Sequence, residues 1–169
     1  MGIVGFGRIG RQVGDIAVNM GMCVIAADEN KRDVPNWPGF RWCDVHELMS
    51  AADVVSLHCP LLRQTRGMID VECLSKIKPE AFLINTSRGQ LVAEQDLADA
   101  LNNRCLAGAA VDVLSSEPPR LDNPLLHAKN CIVTPHMAWA TRGARTRLIE
   151  TVIANLRAFI ENRPVNVVS

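Results

Sequence analysis

Five short runs constrain this chain more than any other feature: residues 22–27 (MCVIAA), 54–58 (VVSLH), 81–85 (AFLIN), 107–111 (AGAAV) and 131–134 (CIVT). Each is apolar along its length rather than at alternate positions, and each has the length of a strand. A strand with one wet face alternates in polarity; a strand apolar throughout is covered on both faces. Ile3 to Gly5 reads as the stub of an earlier strand. Helical patterns lie between the runs, at about 9–19, 45–51, 70–77 and 94–103. Buried strands alternating with helices predict an α/β chain: a doubly wound parallel sheet in three layers, α/β/α, joined by right-handed crossovers. A last helix, at about 142–162, gathers Leu148, Ile149, Val152, Ile153, Leu156, Phe159 and Ile160 on one stripe, and Arg145, Arg147, Glu150 and Arg157 on its other face. The expectation is that it packs this stripe against the core.

The 169 residues are read as one dinucleotide-binding domain spanning 1–169, with no linker, repeat or low-complexity segment. Lys plus Arg equals Asp plus Glu at 18 each, so the formal charge is zero and a broad basic face for nucleic acid is not expected. No apolar run has the length of a membrane span, and the N-terminus carries no cleavable apolar leader. The expected setting is therefore soluble and cytoplasmic. Cys23, Cys43, Cys59, Cys73, Cys105 and Cys131 are too widely spaced for a short zinc or redox pair. They are expected to be buried free thiols, and no metal site is expected. Two long loops, 28–42 and 112–128, exceed ordinary connection length and suggest function.

Between the strand stub and the first helix stands Gly5-Phe6-Gly7-Arg8-Ile9-Gly10, a G-x-G-x-x-G sequence. Gly5 permits a tight turn, Gly7 lets backbone approach a pyrophosphate, and Gly10 lets the helix close on the strand. The helix N-terminus then offers N–H groups and a partial positive charge to phosphate. The next apolar run ends at Asp28, 18 residues after Gly10. A carboxylate there accepts hydrogen bonds from a ribose diol and repels a 2′-phosphate, which favours NAD over NADP. Lys31 and Arg32 nearby soften that preference. The pattern is that of a Rossmann-type domain.

Ligands of such sheets sit outside the carboxyl ends of the strands. Thr86-Ser87-Arg88-Gly89 follows one run, Asp112 and then Ser115-Ser116-Glu117 follow the next, and Pro135-His136 follows the last. Taken singly, Arg88 reads as a surface turn, Glu117 as a solvated loop charge and His136 as a satisfied histidine. Taken together beside a dinucleotide loop, they form a coherent hydride-transfer set. Arg88 forks onto a substrate carboxylate. His136 exchanges a proton with the substrate oxygen. Glu117 bonds the other imidazole nitrogen, fixes the tautomer and favours the protonated ring. Asp112 is placed to accept from a nicotinamide carboxamide. His58 also ends a run and reads equally as a cleft-lining residue or a plain loop residue.

VGFGRIGR (4–11), ADVVSLHCPL (52–61), TRGMI (65–69), INTSRGQLV (84–92), GAAVDVLSSEPP (108–119), NPLL (123–126) and TPHMAW (134–139) resemble, in order, the D-isomer-specific 2-hydroxyacid dehydrogenases. The resemblance implies a catalytic trio of Arg88, Glu117 and His136, acting on a small 2-hydroxy or 2-keto acid. It also implies NAD contacts at Arg8, Ile9, Asp28, Cys59, Pro60, Thr86 and Asp112. PHMAWAT, the Arg-rich helix after it and WPGF (37–40) look most like D-glycerate dehydrogenases, also called hydroxypyruvate reductases. There Trp139, three residues after the histidine, would help shape the substrate end. A phosphite dehydrogenase keeps the same trio, and a corepressor-type NAD(H)-sensing protein shares the same domain; both stay open as alternatives. Formate dehydrogenases carry glutamine where Glu117 stands and fit less well. Family members are about twice this length, with a flavodoxin-like substrate domain completed by the C-terminal segment. The expectation is thus a chain truncated at its N-terminus, of very low activity alone and homodimeric in full-length form.

Overall fold

The computed structural model describes residues 1–168. They form two compact units, residues 1–135 and residues 136–168. The first unit holds β1 (Gly2–Val4), α1 (Arg8–Asn19), β2 (Ile25–Ala27), β3 (Arg41–Trp42), α2 (Val45–Ala51), β4 (Val54–Leu57), α3 (Val71–Leu74), β5 (Phe82–Asn85), α4 (Glu94–Asn102), β6 (Gly108–Val111) and β7 (Cys131–Val133). The second unit holds α5 (Arg142–Ile160).

All the strands join one seven-stranded sheet in the order β3-β2-β1-β4-β5-β6-β7. Every pairing is parallel, with Val4 opposite both Ala27 and Leu57, and Asn85 opposite both Leu57 and Val111. The chain works outward from β1 in one direction, returns, and works outward in the other. The order therefore reverses between β1 and β4, and the crevice outside their carboxyl ends is where such sheets take ligands. The doubly wound Rossmann-like fold is the one read from the alternating runs.

The strands are held from within. Val55, Leu57 and Leu83 are fully buried, and Leu48, Leu91, Leu97 and Leu101 join them in one core cluster. Removing most of Leu57 leaves a cavity at the sheet centre, so Leu57→Ala should destabilise the fold by about 2–5 kcal/mol, read as a lowered urea midpoint with unchanged m. The helix starts follow local chemistry: Asp44 accepts the Glu47 N–H at 2.8 Å to open α2, and Asp70 accepts the Cys73 N–H at 2.9 Å to open α3. Phe6, Trp37, Phe40 and Trp42 form a second cluster of edge-on rings beside α1, and Arg11 lies 4.7 Å over the Phe6 ring.

Three expectations need correction. The 28–42 loop contains a strand, β3, whose two residues Arg41 and Trp42 are too few and too polar to show a period. The stripe on α5 is not core: no residue of α5 is buried, and Leu156 and Phe159 are 57% and 70% exposed. A helix buries a stripe only against a second layer, and among the described residues the unit that contains α5 has no other helix or strand. The six thiols are all free, but Cys23 and Cys105 are exposed and Cys131 only half-buried. Cys23 precedes β2 and Cys105 follows α4, so each sits in a connecting segment rather than in the adjoining element. Burial lifts the Cys73 thiol to about 11, with Asp70 and Glu72 adding to the shift, so that thiol is inert.

Candidate functional site

A cleft of about 520 Å³ opens at the carboxyl ends of β1, β2 and β4. Gly5, Asp28, Cys59 and Pro60, four of the expected contacts, line it together. Lys31 also lines it, and so do Glu29, Asn30, Asp44, Gln64, Thr65 and Met68, which were not singled out from the sequence. Thr65 and Met68 belong to the TRGMI motif, the one signal that pointed there. His58 is not among the lining residues. Its ring nitrogen Nε2 lies 2.9 Å from Ser56 Oγ, and burial pushes its pKa down, which keeps the ring neutral.

The glycine loop has the build a phosphate needs. Gly5 is at φ +91°, and a Cβ there would overlap the backbone of Cys59. A Cβ on Gly10 would overlap the Gly5 carbonyl oxygen, which is how close α1 comes to the turn. Gly7 differs: its φ of −77° suits any residue, and an added Cβ would meet nothing within 4 Å. No packing of the chain itself calls for glycine there, so the open space in front of Gly7 is room for a ligand. Gly7 is also the N-cap of α1 and provides no side-chain cap, while Arg8 and Ile9 stand exposed in the first turn. The first turn of α1 is thus left without a side-chain cap, as a pyrophosphate site requires.

Asp28 fixes the other wall. Oδ2 accepts the Phe6 N–H at 2.6 Å and Oδ1 accepts the Asn30 N–H at 2.7 Å. One carboxylate thus joins the glycine loop to the loop after β2, with lone pairs left for two hydroxyls. Arg11 secures the same loop from the far side, donating to the Arg32 carbonyl at 2.6 Å and the Asp33 carbonyl at 2.7 Å. These residues fit an adenosine diphosphate moiety with an unmodified ribose.

Further along the edge, the loops after β5 and β6 are built on each other. Asn85, fully buried, donates from Nδ2 to the Arg88 carbonyl at 3.0 Å and accepts the Ser87 N–H at 3.0 Å. Ser87 Oγ donates to the Cys59 carbonyl at 2.8 Å, tying this loop to the one after β4. Thr86 and Arg88 are exposed, and the Arg88 guanidinium rests on the Ser87 carbonyl at 2.7 Å. Gly89 touches the backbone of Leu114 so closely that any Cβ would overlap it. On the β6 side Asp112 is buried and accepts from the Thr134 hydroxyl. Glu117 is exposed, and its Oε1 accepts the Leu114 N–H at 3.1 Å. Arg88 and Glu117 belong to the first unit.

His136 and Trp139 belong to the second unit. His136 is exposed and has φ +51°; the Trp139 indole N–H donates to the His136 carbonyl at 2.8 Å, fixing the turn between them. Among the described residues, no group of three His, Cys, Asp or Glu side chains is placed to hold a metal ion. No described helix is long and apolar enough to cross a membrane.

Comparison with known proteins bears on this geometry. The family model for the D-isomer specific 2-hydroxyacid dehydrogenase, NAD binding domain, matches residues 1–138. The chain belongs to that family. It is 47% identical to the hydroxypyruvate reductase of Blautia hydrogenotrophica over 169 residues, covering all of this chain and 52% of the relative. It is 39% identical to the glycerate dehydrogenase of Methylorubrum extorquens over 170 residues, covering 99% of this chain and 52% of the relative. Among solved structures it matches the NAD-complexed D-isomer specific 2-hydroxyacid dehydrogenase of Lactobacillus delbrueckii ssp. bulgaricus, with a TM-score of 0.87 and 32% identity, covering 99% of this chain and 55% of that one. The chain spans about half the length of the curated relatives it matches. It is an NAD-binding domain of the 2-hydroxyacid dehydrogenase family, and its glycine loop, Asp28 and cleft fit that cofactor.

Proposed function

We propose that residues 1–169 are the dinucleotide-binding domain of a cytoplasmic, homodimeric oxidoreductase that interconverts a small D-2-hydroxy acid and its 2-keto acid, with D-glycerate and hydroxypyruvate as the pair. Bound NAD(H) would take or supply the hydride at the substrate carbon. The chain's own residues do the rest. Asp28 accepts from the adenosine ribose and Asp112 from the carboxamide, while Thr86, Cys59 and Pro60 line the path between. Arg88 binds the substrate carboxylate and polarises the neighbouring carbonyl. His136 gives a proton to the carbonyl oxygen in reduction and takes it back in oxidation, and Glu117 holds the imidazole in the tautomer that does so. Trp139 shapes the substrate end. The observation that carries this reading is the joining of the Arg88 and Glu117 loops at the sheet edge that also bears the glycine loop.

The names of the two relatives favour a hydroxy-acid substrate over phosphite, and over a purely sensing role. The exposed stripe of α5 is the surface that a second, substrate-binding domain would cover. That domain would also exclude water and hold substrate for attack, so the 169-residue chain should bind NADH yet turn over hydroxypyruvate very slowly. The test is NADH titration of the chain, then NADH oxidation with hydroxypyruvate by the chain and by its full-length form. Rapid turnover by the short chain would defeat the two-domain reading. Binding without any response to 2-keto acids in the full-length form would favour a sensor.

Cofactor choice tests Asp28 separately. Asp28→Ser removes the charge that faces a 2′-phosphate, and the preference for NADH over NADPH should fall by about tenfold or more, ~1.4 kcal/mol. Fluorescence titration with the two cofactors reads the ratio directly. An unchanged ratio would take Asp28 out of cofactor selection.

A further inference from the structure

Glu94 opens α4, one turn beyond the loop that carries Arg88. Its carboxylate is spent entirely on the opposite loop. Oε1 accepts the Ser115 N–H at 2.6 Å, and Oε2 accepts the Ser115 hydroxyl at 2.7 Å and the Asn123 side-chain amide at 2.9 Å. Asn123 is itself buried and turns its Oδ1 to the Leu125 N–H at 3.0 Å, so it cannot offer Glu94 an acceptor in place of a donor. Gln90 completes the grip by donating from Nε2 to the Ser115 carbonyl at 2.9 Å. Every polar group of Ser115 is thereby held from the segment 90–94, two residues before Glu117.

A helix N-terminus commonly uses an acidic side chain to satisfy its own N–H groups. Glu94 does not act as the cap: α4 has Ala93 at its N-cap and no side-chain cap bond. Its three bonds cross more than twenty residues of sequence, and two of the three donors belong to one loop residue. Such charge-assisted bonds are the strong kind, and together they leave that loop little freedom.

We propose that Glu94 is a positioning residue for Glu117, setting where the loop after β6 presents that carboxylate relative to Arg88. The inference rests on the catalytic reading of Glu117 given above. Glu94 and Arg88 lie on one continuous segment, so a single rigid piece carries the substrate-binding arginine and anchors the loop of the acid. The residue acts through Glu117 and touches neither substrate nor cofactor.

The experiment is a double-mutant cycle in the full-length protein with NADH and hydroxypyruvate. Glu94→Ala should lower kcat about ten- to a hundredfold while the NADH dissociation constant stays within about twofold, because the cleft walls lie on β1, β2 and β4. Glu94→Gln keeps the size but sets an NH2 group against a donor, and should fall between wild type and alanine; it also serves if the alanine variant folds poorly. In a Glu117→Gln background, Glu94→Ala should cost almost nothing more, the non-additivity expected of two residues in one network. Additive losses, or an NADH affinity that falls as far as kcat, would overturn the positioning role while leaving Glu117 in place. A Glu117→Gln variant with undiminished kcat would instead overturn the catalytic reading of Glu117 and, with it, this inference.

Discussion

Replacing Gly10 by alanine should all but abolish cofactor binding. The new methyl group would overlap the Gly5 carbonyl oxygen; a Cβ has no rotamer to escape into and its neighbour is backbone, so nothing can swing away. Either α1 moves off β1 or the glycine turn opens. Both remove the N–H groups of the first turn from the place where a pyrophosphate would sit. NADH affinity should fall at least about a hundredfold, ~2.7 kcal/mol, with a folding loss of about 1–3 kcal/mol from overpacking. Isothermal titration gives the first number and urea denaturation the second. A Gly10→Ala chain that binds NADH as wild type does would show that the loop is not the phosphate site.

The second large effect lies in the proposed catalytic residues His136 and Arg88. In the full-length protein, His136→Ala should lower kcat by about 10²–10⁴-fold with little change in KM, as loss of a general acid does. Arg88→Ala should act on binding and rate together, costing ~2–5 kcal/mol in kcat/KM, because a buried substrate carboxylate would lose its partner. Arg88→Lys should recover little, since a point charge cannot make two parallel bonds. Steady-state kinetics with varied hydroxypyruvate separates the two patterns. Two variants as active as wild type would mean that the chemistry is done elsewhere.

What could be read from the residues alone follows the range over which each signal acts. The strands were visible because burial on both faces leaves an uninterrupted apolar run, and 54–57, 82–85 and 108–111 fall inside the runs read as strands. The glycine loop was visible because its geometry is set by three residues in six. β3 was not, since Arg41 and Trp42 are strand only by pairing with Ile25 and Ala26. The helix expected over 70–77 stops as regular helix at Leu74, although Ile77 remains buried beyond it. The α5 stripe showed that an apolar face exists, and a helical period says nothing about what covers it.

The site divides along the same line. Asp28 and Arg88 are legible as charged residues that follow apolar runs. Asn85, Gln90 and Glu94 carry no such mark: each is an ordinary polar residue until the fold brings its partner from the next loop. Supporting residues of this kind are fixed by tertiary contact, and one sequence without a fold does not contain that information in local form.

The strand order has a consequence for altering this protein. Asp28 and the loop after β2 lie on one side of the reversal point, whereas Arg88 and Glu117 lie on the β5–β6 side. If Asp28 selects the cofactor and Arg88 the acid, as proposed, the two tasks occupy opposite flanks of one layer. Nicotinamide preference and acid preference should be separately evolvable: a library confined to 28–34 could retune the first without disturbing the second.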